Sequence, residues 1–188
     1  MKNRAGMMGV LALVWAAIPF SAARAQNRFE VGAQIAVHHL PEFGETPVGF
    51  GFRFSYAAYL PFFYADAEIN RFPTDSAGNL GETQGFFGLR AGLNVGKWGV
   101  FAKVRPGFAN FGGGAAPNRL SGATFFALDL GGVLEYRFAR HVALRWDLSD
   151  VETHFGTSGL TAGPGGPVGV PLRTHDNFQT MIGIVVGF

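Results

Sequence analysis

From Arg28 onward the chain alternates. In RFEVGAQIAVHH, residues Phe29, Val31, Ala33, Ile35 and Val37 share one parity, while Glu30, Gly32, Gln34, Ala36 and His38 share the other. The same period runs through GFGFRFSYAAYL (49–60), FYADAEIN (63–70), FGLRAGLNV (87–95), VFAKVRPGF (100–108), FALDLGGVLEY (126–136), VALRWDLS (142–149) and the closing FQTMIGIVVGF (178–188). Successive side chains of a strand point to opposite faces, so a period of two predicts strands and excludes an amphipathic helix. Eight runs predict eight strands. Pro106, inside the fifth, has no N–H for a ladder and predicts a bulge there.

The connections sort by length. LPEFGETPV, FPTDSAGNLGETQ, ANFGGGAAPNRLSGA and the segment from Asp150 to Asp176 are long; Pro61, GKW and ARH are short. Long and short alternate along the chain. An even-stranded meander with short turns at one end and long loops at the other is the layout of an outer-membrane barrel. A soluble sandwich has no reason to sort its loops in this way.

The two parities then fix inside and outside. An eight-stranded barrel has an interior just wide enough for side chains. The parity rich in Phe, Leu, Ile and Val cannot fit there over eight strands, so it faces out, where a bilayer suits it and water does not. A lipocalin-like soluble barrel needs the opposite arrangement. The inward parity is Gly, Ala and Ser interrupted by ions: Glu30, Asp66, Glu68, Asp129, Glu135 and Asp147 against Arg53, Arg90, Lys103, Arg105 and Arg145. Near-balanced charges in a narrow lumen are expected to pair, because an unpaired buried charge is very costly. The expected outcome is a structural, salt-bridged plug. A gated polar path through the barrel is the alternative.

The N-terminus changes the charge balance. Lys2 and Arg4 precede an apolar run from Met7 to Phe20, and Ala23 and Ala25 flank Arg24 in SAARAQ. That is the pattern of a cleavable secretory signal peptide over residues 1–25, with residues 26–188 as the mature barrel domain. The signal carries three of the 15 basic residues and no acid, so the mature chain has 15 − 3 = 12 bases against 13 acids, a net of −1. Basic residues are neither in excess nor clustered, so no nucleic-acid partner is expected. Without Cys there is no disulfide framework, thiolate metal site or thiol nucleophile. Gly at 28 of 188 and Phe at 20 fit strands with bulky side chains on one face and almost none on the other, whereas disorder depletes aromatics.

The tail MIGIVVGF resembles the C-terminal assembly signal of bacterial outer-membrane proteins: Gly183, Val186 and the final Phe188 match, and Met181 stands where a polar residue is usual. From about Arg28 to Phe188 the chain resembles the small eight-stranded outer-membrane β-barrels of the OmpA/OmpX type. The resemblance implies an all-β, antiparallel, up-and-down transmembrane barrel in the outer membrane of a Gram-negative-type bacterium, with both termini periplasmic. It implies outer-membrane lipid as surroundings, the outer-membrane assembly machinery as a partner of the last strand, and extracellular partners for the long loops. No peptidoglycan-binding domain is expected after the eighth strand. The implied function is non-enzymatic: membrane integrity, adhesion or surface interaction.

Two other functions suit a barrel of this size. One is a small gated, porin-like channel. The other is a lipid-modifying enzyme at the rim, for which His38 or His39, Ser158 and acids of the long loop are the available groups, though no motif links them. No catalytic residue and no cofactor is therefore expected. At the long-loop end His39, His154 and His175 fall on adjoining strands of a closed barrel, and imidazoles converging there are the candidate metal ligands. No metal-binding spacing such as H-E-x-x-H accompanies them.

Overall fold

The computed structural model of the chain describes residues 28–40, 46–58, 62–73, 81–112, 123–154 and 174–188. The expected signal peptide and the greater part of the long connections lie outside these residues. Eight strands follow in chain order: β1 (Phe29–His38), β2 (Val48–Ala57), β3 (Phe63–Phe72), β4 (Gly81–Val95), β5 (Trp98–Gly112), β6 (Ala123–Arg137), β7 (Val142–His154) and β8 (Thr174–Gly187). Each pairs antiparallel with the next, and β8 pairs with β1, so the sheet closes into a barrel without an edge. At the seam, Arg28 N–H donates to the Phe188 carbonyl and Phe188 N–H to the Phe29 carbonyl, both at 2.8 Å.

The register fixes the barrel's shape. Following paired residues from Val185 leads to Gly32, Arg53, Glu68, Phe86, Gly107, Ala127, Thr153 and back to β8 at His175. One circuit therefore climbs 185 − 175 = 10 residues. For eight strands about 4.8 Å apart, rising about 3.3 Å per residue, this stagger tilts the strands about 41° from the axis.

The outward parity is apolar and exposed. Phe87 is 66% and Phe52 61% accessible, and Val31, Ile69, Leu89, Val104, Leu144 and Ile182 share that face. Aromatic and β-branched side chains suit a pleated surface, so these residues favour strands as well as covering the outside. On β5 the outward series runs from Trp98 to Phe108, 108 − 98 = 10 positions. At the tilt above it makes an apolar band about 25 Å tall, the height expected of a barrel in an outer membrane. Polar residues replace it at the long-loop end, where Arg71, Thr83 and Asp150 take outward positions.

Three details depart from the expectations. First, β4 starts at Gly81 rather than Phe87, β5 runs on to Gly112, β7 to His154, and β8 starts at Thr174. These extensions rise past the apolar band, where the outward face turns polar and the two-residue hydrophobic period fades. Second, Pro106 makes no bulge. The β4–β5 register is the same on both sides of it, as Phe86 faces Gly107 and Leu89 faces Val104. The proline instead leaves the ladder open opposite Phe87 and Gly88, while its pairing with Leu128 on β6 is intact. Third, Leu128, expected from its run to sit outward at mid-strand, lies outward but near the long-loop edge of the band, opposite Glu152.

Candidate functional site

The lumen is the one interior of the molecule, and its chemistry is ionic. All eleven inward ions are buried, with Arg90, Arg105 and Arg145 at 0% exposure. Glycine makes the room for them. A Cβ on Gly32 would stand 3.1 Å from Arg53 Cγ and from Val185 Cγ2, so the arginine stem crosses the wall where the wall has no side chain.

Asp66 and Asp147 are the hubs. Asp66 on β3 takes Arg105 Nη1 at 2.9 Å and Arg145 Nη2 at 3.2 Å, with Arg90 Nε at 3.9 Å; the Ser55 hydroxyl donates to its other oxygen. Asp147 on β7 takes Arg53 Nη1 at 2.6 Å, Arg145 Nε at 2.9 Å and Lys103 Nζ at 3.2 Å. Glu68 joins Arg105 at 2.9 Å and Arg53 at 3.4 Å, and accepts from Asn70 Nδ2 at 2.8 Å. Asp129 holds Lys103 at 3.1 Å and Arg105 Nε at 2.8 Å. Arg90 bridges Glu30, at 2.7 Å, and Glu135, which also lies 3.7 Å from Arg145. Every one of the eleven ions belongs to this single connected network. It spans β1 to β7, so it links strands that share no backbone ladder.

Aromatic side chains cluster in the lumen at each end. At the short-turn end, the Arg90 guanidinium lies over the rings of Tyr64, at 4.3 Å, and Phe101, at 4.5 Å; the rings meet edge-on and pack with Val133. This is favourable cation–π geometry in a dry site. At the long-loop end, Phe86, Phe111, Phe125 and Val151 form one apolar cluster, and Phe72 packs with Ala36 and Met181 in another.

Buried amides stand among the upper aromatics. Gln34 Nε2 donates to Asn70 Oδ1 at 2.6 Å, and Gln84 Nε2 to Glu82 Oε1 at 3.0 Å. His38 Nδ1 is 2.9 Å from Glu82 Oε2 and fully buried. Ser149, Thr153, Asn177 and Gln179 are buried polar residues as well. Sequence reasoning missed the upper aromatic clusters and Glu82 and Gln84. Their inward parity is a usable signal, but it lies in stretches assigned to loops.

The histidines separate. His38 is inside. His39 is on the outer side, 2.9 Å from the Thr46 hydroxyl. His154 is exposed and packs edge-on against Phe126. His175 sits opposite Thr153 in the ladder, and its side chain lies outside the described residues, as does Ser158. Among the described residues, no three His, Asp or Glu groups are grouped so as to hold a metal. In the tail, Gly183 abuts the Ala33 carbonyl, Val186 pairs with Val142 and Val31, and Phe188 is exposed.

No protein-family model and no curated protein matches the sequence. Solved structures do share the fold. Neisserial surface protein A (NspA) matches with a TM-score of 0.58 at 12% identity over 88% of this chain and 100% of that one. The N-terminal β-barrel domain of Pseudomonas aeruginosa OprF gives 0.59 at 9% identity over 88% and 100%. Outer membrane protein H (OprH) of P. aeruginosa gives 0.56 at 15% identity over 86% and 99%. The chain thus has the fold of the small eight-stranded outer-membrane barrels.

Proposed function

We propose that the chain is a non-enzymatic barrel of a Gram-negative-type outer membrane, with a structural or surface-interaction role and a lumen plugged by salt bridges. The observation that carries this reading is the connected eleven-ion network, held between aromatic side chains at both ends. Such a lumen pairs its charges with each other. A porin-like path needs a continuous polar lining, and Tyr64 and Phe101 below and Phe111 and Phe125 above interrupt it. An enzyme needs a nucleophile and base aimed at an accessible substrate. Among the described side chains the one buried imidazole, His38, is engaged with Glu82.

Membrane location is supported by the exposed apolar band, which no soluble surface of this size tolerates. The fold it shares with a Neisserial surface protein and an outer membrane protein of P. aeruginosa points the same way. Surface interaction then falls to the long connections, and assembly to the β8 tail with Gly183, Val186 and Phe188. The test is expression of the full chain in a Gram-negative host, followed by fractionation and protease treatment of intact cells. The proposal expects the protein in the outer-membrane fraction, cut near Gly78, Gly113 or Gly165 and spared near Pro61 and Lys97. Recovery as a soluble periplasmic protein overturns it, and cutting only at the short turns inverts the orientation.

A further inference from the structure

The outer surface is not level. Across β2 to β5 small residues lie at the floor of an apolar groove of about 560 Å³, walled by phenylalanines. Ala67 faces Phe87 across the β3–β4 ladder, Ile69 faces Gly85, and Gly85 in turn faces Phe108. Phe108 leans over Gly85 so closely that a Cβ there would stand 2.5 Å from its ring. The groove is apolar and open along the outer surface rather than enclosed.

A cation stands at the long-loop end of this groove. Arg71 is outward and exposed, four positions along β3 from Ala67, about 13 Å of extended strand. It faces Thr83 across the ladder and donates to the Thr83 hydroxyl at 2.6 Å. Among the described residues that is its one hydrogen-bond partner, and no carboxylate pairs with it. The outward acids of that level, Asp150 and Glu152, are on β7, away from β3 and β4. An arginine at the edge of an apolar band puts its stem on the band and its head among polar groups. Its planar fork matches phosphate oxygens, with a hydroxyl beside it as a further donor.

We propose that this face binds one membrane lipid with an acidic phosphate head group, its acyl chain in the groove over Ala67, between Phe54 and Phe87, and its phosphate on Arg71 and Thr83. The proposal rests on the membrane reading above. It differs from general wetting by lipid in that one chain has a recess and one head group has a cation.

The experiment is native mass spectrometry of the full chain, folded in dodecylmaltoside micelles and titrated with phosphatidic acid, phosphatidylcholine or inorganic phosphate. Folding is read separately by the heat-dependent gel mobility of a closed barrel. One phosphatidic acid per barrel is expected, held about tenfold more tightly than phosphatidylcholine. Arg71→Gln should remove the difference between the lipids. Ala67→Leu, which fills the floor on a face that tolerates apolar bulk, should weaken both lipids alike. Equal retention of the two lipids by the wild type, or no effect of either variant, overturns the proposal. So does inorganic phosphate displacing the lipid at comparable concentration, which marks a bare anion site, and so does a lipid-free dimer, which marks a second copy in the groove. A folded barrel with no lipid preference sinks this proposal alone. A chain that needs no detergent to stay in solution sinks the membrane reading instead.

Discussion

Asp66 lies among Arg90, Arg105 and Arg145, with the Ser55 hydroxyl on its remaining side. Removing its charge leaves three buried cations short of a partner. Asp66→Asn should destabilise the barrel by about 3–5 kcal/mol, the cost typical of breaking a buried ion pair from one side. Urea unfolding in lipid vesicles measures it, and Ala143→Ser, a small change in the same lumen, is the matched control. A loss no larger than the control's would mean the ions are solvated rather than paired. Outside, Leu89 pairs with Ala65 and Val104 near the middle of the apolar band. Leu89→Arg should cost about 2–4 kcal/mol in a bilayer, where an arginine at the midplane has no solvent. Leu128→Arg should cost clearly less, because Leu128 borders the polar rim beside Glu152. Equal costs at the two positions would contradict the depth assigned to them.

At the scale of the strand, Pro106 and the long-loop extensions set the expectations. Pro106 opens the β4–β5 ladder without shifting its register. Pro106→Val restores a donor at an outward, apolar position and should stabilise the barrel by about 1 kcal/mol, read from the same urea midpoint. A destabilised variant would show that the open ladder is required. Phe111, on the extension of β5, is buried with Phe86, Phe125 and Val151. Phe111→Ala should cost about 3–5 kcal/mol for the cavity it leaves. A negligible cost would mean that this end is not packed. The same two features show where the sequence stops being legible. β1 and β7 can be read because Phe29 to Val37, and Val142 to Leu148, alternate with glycine, small residues and ions, so the two faces differ sharply. GETQ, at the start of β4, cannot be read so: Glu82, Thr83 and Gln84 are polar on both faces, and nothing in them separates strand from loop. The inward parity of Arg53 and Asp147 follows from alternation, but their 2.6 Å contact does not. They lie on β2 and β7, and their meeting depends on the ten-residue stagger accumulated over all the ladders.

At the scale of the molecule, closure and charge act together. A closed sheet leaves no unpaired edge, which a membrane would not tolerate. The ten-residue stagger places six acids and five bases at overlapping heights, where each meets an opposite charge across a narrow lumen. Aromatic clusters lie above and below that network, and burial strengthens each contact within it. The outer surface gives the barrel its solvent, an apolar band about 25 Å tall with polar residues beyond it. The plugged lumen is the central claim, and single-channel recording tests it most directly. The full chain is refolded in vesicles, its folding verified by gel mobility, and the vesicles are fused to a planar bilayer. The account predicts no current above background for the wild type. Stable ion currents from the folded protein would contradict it, because they would require an open polar path past Tyr64, Phe101, Phe111 and Phe125.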